Sequence, residues 1–164
     1  MRTLILLAML ATVMFVSKKL MEVLPNIHLV GMLTICYTVV FRLKALIPIY
    51  IYVFLDGLFL GFSPYWIPNL YAWTVLWALA MLIPKGIPKK AAAVIYPALC
   101  AFHGLIFGAL NAPVWAILHS FDFRETLTWM ISGLTFDILH LVGNLAAGML
   151  VLPLSELMKK LLNK

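Results

Sequence analysis

Asp137, His140 and Asn144 stand at i, i+3 and i+7 inside the apolar run 134–144, so a helix there projects a carboxylate, an imidazole and a carboxamide from one face. His103, Phe107 and Asn111, at i, i+4 and i+8, form a second such face in the run 91–117. These groups can satisfy the polar edge of a small molecule, while indole rings such as those of Trp66 and Trp73 can stack on its flat face. An Asp at the centre of a bilayer costs about 2.5–3.5 kcal/mol on insertion scales, so such a group is retained where it meets protein, water or a ligand.

Plainer roles compete at several of these positions. Asp56 and Asp137 could pair with a histidine or a backbone donor and fix helix register. Asn144, flanked by small residues, suits an interhelical hydrogen bond better than a ligand contact. Trp129 suits an interfacial aromatic belt, a role open equally to Trp66 and Trp73. His119 and Asp122 have the spacing of a metal pair, but two ligands in a loop read more simply as solvated side chains, and no metal site is expected.

The elements positioning these residues follow from composition. The chain has 164 residues, 65% of them hydrophobic and 11% charged, with a mean hydropathy of +1.06, which excludes an ordinary soluble domain. The formal charge of +6 comes from basic residues scattered between apolar runs, a pattern of membrane topology and not of nucleic-acid binding. Cys36 and Cys100 lie far apart in apolar stretches and read as packing residues. The apolar run after Arg2 has no small-residue cleavage site and continues through Ser17, Lys18 and Lys19, so it reads as a first span and not as a signal peptide.

At roughly 20 residues per span, the sequence predicts an all-α membrane protein. Six transmembrane helices at 3–23, 27–42, 45–62, 69–84, 91–117 and 127–152 form one compact bundle, a single transmembrane substrate-binding domain over 1–164. The breaks fall at Pro25 and Asn26, at Arg42 to Lys44, and at 63–69, 84–90 and 119–126. Arg2, Arg42, Lys44, Lys85, Lys89, Lys90, Lys159, Lys160 and Lys164 fall on one side, and only Lys18, Lys19 and Arg124 on the other. The positive-inside rule then places both termini in the cytoplasm. Gly104, Gly108 and Ala112, and again Gly143 and Ala147, recur every four residues and allow close helix packing.

Enzymatic chemistry has no support. The chain has no His-Glu-x-x-His, no Gly-x-Ser-x-Gly and no phosphate-binding Gly-x-x-x-x-Gly-Lys-Ser/Thr. A non-enzymatic protein without a cofactor is expected, and any uphill transport must draw on an ion gradient or a partner ATPase.

Six short spans, the turn Leu24-Pro25-Asn26-Ile27-His28-Leu29-Val30, a glycine-bearing fifth span and the run Phe136-Asp137-x-x-His140-x-x-x-Asn144 before Pro153 resemble the substrate-binding S components of energy-coupling factor transporters. The resemblance implies a multi-pass receptor of the bacterial cell membrane. Such a receptor captures a vitamin or related micronutrient outside, docks on a transmembrane coupling protein with two ATPase subunits, and topples to release the solute inside. It further implies a pocket in the outer half built by Trp66, Trp73, His103, Asn111, Asp137 and His140. The family couples through an alanine pair four apart on the first helix; the matching positions here are Ala8 and Thr12, with Ala11 out of step.

The expectation is therefore a capture subunit for a small aromatic or heterocyclic micronutrient. An ionised Asp137 would suit a cationic solute, and a protonated or His140-paired one a neutral solute. The alternative is a membrane scaffold of the cell-wall elongation machinery, which needs no polar pocket in the outer leaflet. A proton-coupled carrier relaying through Asp137 and His140 would ordinarily show two pseudo-symmetric halves, and the first three spans share no motif with the last three.

Overall fold

The computed structural model describes residues 2–24 and 27–162, so Pro25 and Asn26 of the first turn, and Lys164, lie outside the described residues. The described residues are helical, with no strand among them: α1 Arg2–Leu20, α2 Val30–Phe41, α3 Leu46–Leu60, α4 Asn69–Met81, α5 Lys89–Leu105, α6 Phe107–His119, α7 Phe123–Gly148 and α8 Val151–Leu162. Four helical stretches are long and apolar enough to cross a membrane, Thr3–Leu20, Val30–Leu60, Lys89–His119 and Phe123–Gly148, and Asn69–Met81 is a shorter apolar helix.

The stretch Val30–Leu60 turns back on itself. Tyr37 donates its hydroxyl to the Leu10 carbonyl at 3.1 Å, whereas Phe59 packs on Phe15 with ring centroids 5.0 Å apart. A straight helix at a rise of about 1.5 Å per residue would hold Tyr37 and Phe59 about 33 Å apart, far beyond what five residues of α1 can bridge. The reversal occurs where the sequence suggested a loop. Arg42 takes φ 55° and a 3-10 turn covers Arg42–Ala45. The Arg42 guanidinium donates to the carbonyls of Met81, at 2.7 Å, and Ile83, at 3.3 Å, supplying a cation and hydrogen bonds to the last carbonyl of α4 and to the turn that follows it.

The run expected as one fifth span is two helices in line, broken at Ile106. Both stay alongside α7. Gly148 lies against Pro97 and Cys100, Gly104 against the backbone of His140, and Gly108 against Asp137, while Trp115 stacks on Trp129. A Cβ on Gly104 would sit 2.8 Å from the His140 carbonyl, and one on Gly148 2.6 Å from Pro97 Cα. Only glycine permits so close a backbone approach.

The sixth span differs at both ends from the expected 127–152. It begins at Phe123, because Asp122 accepts from Glu125 N–H while the Glu125 carboxylate accepts from Asp122 N–H, a complete capping box. It ends at Gly148, and α8, with Pro153 in its first turn where a missing N–H costs little, is a separate helix the hydropathy pattern concealed. Val151 and Ser155 of α8 are buried, Met158 meets Cys36 on α2, and Glu156 pairs with Lys89 at 2.7 Å.

A core of Met14, Ile35, Cys36, Ile49, Tyr52, Trp73, Leu76, Tyr96 and Cys100 binds α1 to α5 together.

Candidate functional site

The end of the bundle holding Lys18 and Asn69 opens into a cleft of about 260 Å³, walled by residues of α1, α4, α6 and the segments joining α1 to α2 and α3 to α4. Lys18, Glu22, Tyr65, Asn69 and Asn111 border it, and His28, Trp73 and Phe107 lie deeper. Behind these three stand His103 and His140, both buried. The five rings touch in a continuous cluster: His28 to His140 at 4.9 Å, Phe107 to His140 at 4.8 Å, Trp73 to His103 at 5.4 Å and Trp73 to Phe107 at 5.7 Å between centroids.

The polar atoms of this cluster are short of partners. Among the described residues, His28 Nδ1, Tyr52 Oη, Trp73 Nε1, His103 Nδ1 and His140 Nε2 are buried without a hydrogen bond. One unmet buried polar atom costs about 1–3 kcal/mol, and native interiors leave few of them, so these five in adjoining side chains offer hydrogen-bonding capacity that a polar molecule, water included, can fill. Their roles are partly fixed. His103 Nε2 lies 2.9 Å from the Ala72 carbonyl; a carbonyl only accepts, so Nε2 carries the proton and Nδ1 of the neutral ring offers a lone pair. Trp73 Nε1–H can only donate.

Charge around the cleft is already matched. Lys18 reaches both carboxylate oxygens of Asp56, at 2.9 and 2.8 Å, with Asp56 1% exposed. Lys19 pairs with Glu22 at 3.1 Å. Asp56 thus has a lysine for its partner, and among the described residues neither a histidine nor a backbone donor holds it.

Asp137 has a different task. The break at Ile106 starts a new helix whose first N–H groups need acceptors, and Ile106 supplies no side-chain cap. Asp137 Oδ1, from the neighbouring α7, accepts from Gly108 N–H at 2.9 Å. It therefore caps α6 from across the interface, the backbone-donor role weighed for it from sequence.

Of the six pocket residues expected from sequence, Trp73, His103 and His140 come together in the ring cluster and Asn111 borders the cleft. Asn111 also returns its amide to the Phe107 carbonyl at 2.7 Å. Asp137 is not among the cleft-lining residues, and Trp66 is turned away: its Nε1 donates to Val53 O at 2.8 Å and its ring meets Phe62 edge-on, over Gly57, where a Cβ would lie 2.8 Å from Trp66 Nε1. The bond expected from Asn144 to another helix is not formed among the described residues; both ends of its carboxamide are buried and unpaired beside Gly31 and Cys100. His119 stacks on Trp115 with the ring planes 2° apart, and no group of three metal-binding side chains occurs among the described residues.

Sequence reasoning gave no pocket role to His28, Lys18 or Tyr52. A lone histidine in the turn after the first apolar run, and a lysine with an aspartate elsewhere in the apolar helices, were the available signals.

No family model matches this chain, and no curated protein or solved structure matches it.

Proposed function

We propose that this chain is the substrate-capture S subunit of an energy-coupling factor importer in a bacterial cell membrane. It crosses the bilayer six times with both termini cytoplasmic, takes a small vitamin-like solute from outside, and releases it inside by toppling when docked on a transmembrane coupling protein with two ATPases. The observation that carries this reading is the cluster of five unpaired buried polar atoms beneath a cleft at one end of the bundle. A scaffold has no use for such a group. Arg42, Lys85 and Lys159 gather at the opposite end, which the positive-inside rule assigns to the cytoplasm, leaving the cleft to open outward.

Ala8 and Thr12 support the docking half of the proposal. Both are exposed on α1, and the Thr12 hydroxyl is satisfied by the Ala8 carbonyl at 3.1 Å, so the pair offers a small, flat face with no unmet polar group to a membrane partner. Ala11 instead points into the core, fully buried.

Native mass spectrometry of the full chain, purified in mild detergent from cells grown in rich medium, tests the proposal. A small molecule bound near one-to-one is the expected result; an empty protein carrying cell-wall or other membrane proteins would overturn it in favour of the scaffold.

A further inference from the structure

The charge balance and size of the cleft narrow the solute, given the capture reading just proposed. We infer that the solute is an uncharged, planar nitrogen heterocycle of one or two rings that presents an acceptor to Trp73. The charged side chains that line the cleft are already paired, Lys18 with Asp56 and Glu22 with Lys19. Asp137 is engaged by Gly108 outside the cleft lining. No spare charge remains among the described residues of the wall to balance an ionic solute, and desolvating an ion without a counter-charge is strongly unfavourable.

Shape points the same way. The rings of His28, Trp73 and Phe107 form the inner wall, a surface that suits stacking and edge contacts with another flat ring. At about 260 Å³ the cleft lies just below the usual range for small-molecule sites, about 300–1,000 Å³, a size suited to a solute of one or two rings. The polar complement follows from these rings: Trp73 Nε1–H lacks an acceptor, and unpaired His28 Nδ1, in a ring set edge-on at 5.7 Å between centroids, serves as donor or acceptor according to tautomer. A ring nitrogen or ring carbonyl next to an N–H meets both.

The test uses the full chain in lipid nanodiscs, incubated with equal concentrations of nicotinamide and hypoxanthine as neutral probes, 1-methylnicotinamide and thiamin as cations, and nicotinate as an anion. Retained compounds are quantified by mass spectrometry against empty nanodiscs. At least one neutral probe should be retained tenfold or more above every ion. Trp73→Phe, which keeps a ring and removes the N–H, should lower that retention about tenfold, equivalent to about 1.4 kcal/mol, while Trp129→Phe leaves it unchanged. Retention of an ion as strongly as the neutral probes overturns this inference and leaves the capture reading standing. Retention of none of the five counts against both. Undiminished retention by Trp73→Phe, with the protein inserted and monodisperse, overturns the assigned hydrogen bond.

Discussion

Replacing Gly104 by alanine tests one of the close backbone contacts between α5 and α7 and the cluster it supports. The new Cβ would lie 2.8 Å from both the carbonyl carbon and oxygen of His140 and 2.9 Å from Leu141 N. All three are backbone atoms of a long helix, so no side chain can swing away. Ordinary van der Waals contact begins near 3.4 Å, so α5 and α7 must part locally by about 0.6 Å, and close-packed interiors resist that. Overpacking of this kind costs about 1–3 kcal/mol, partly offset by the 0.5–1 kcal/mol that alanine gains over glycine inside a helix. Gly133→Ala is the matched control, because a Cβ there meets nothing within 4 Å and keeps only the gain. The two variants should therefore differ by about 1–3 kcal/mol, or about 2–12 °C in melting temperature for a chain of this size, read by thermal unfolding in one detergent. The shift would also displace the His140 ring, so solute retention should fall with stability. Equal melting temperatures would refute the reasoning, since they would mean that α5 and α7 give way freely.

Three other perturbations separate structure from capture. Lys18→Met leaves the buried Asp56 carboxylate without its cation and should destabilise the protein by about 3–5 kcal/mol, whereas Lys18→Met with Asp56→Asn should recover much of the loss, as measured by a thermal double-mutant cycle. Asp137→Ala removes the cap from α6 and should cost about 1–2 kcal/mol, while Asp137→Asn keeps an acceptor for Gly108 and should change neither melting temperature nor solute retention by much; a tenfold loss of retention in Asp137→Asn would return the carboxylate to the pocket. If the proposed S-subunit role holds, Ala8→Trp should spare solute retention but abolish uptake by the complete transporter, and loss of retention would show that this face of α1 is structural.

The sequence showed faces more clearly than partners. Asp137, His140 and Asn144 are all buried on α7, as their spacing implied, because helical periodicity depends only on the chain itself; His103 and Phe107 meet at 5.8 Å between ring centroids, though the break at Ile106 sets them on two helices and not on the one face expected. Which neighbour each residue meets depends on how helices far apart in sequence align. Lys18 and Asp56 illustrate this: counted singly, they are a topological charge and a buried acid, and only the parallel packing of α1 on α3 makes them a pair. Trp66 read as a stacking surface, but its indole follows the loop that folds over Gly57 and its N–H goes to Val53. The break at Ile106 left no mark, since the prolines of that run stand elsewhere, at Pro97 and Pro113. Likewise α8 was hidden by an apolar composition that runs on past Gly148.

The pairing of the deep polar groups also bears on how the chain enters the membrane. Chains are synthesised and begin to organise from the N-terminus. Asp56 therefore emerges when Lys18 is already in place, His103 when the Ala72 carbonyl is, and Asp137 when the Gly108 N–H is. The main exception, Arg42, which must await the carbonyls of Met81 and Ile83, lies in a turn at the basic end of the bundle, where water can hold its charge meanwhile. Asp56, His103 and Asp137 thus each arrive second, to a partner already made, and the bundle can grow helix by helix without storing either buried acid unpaired in the bilayer.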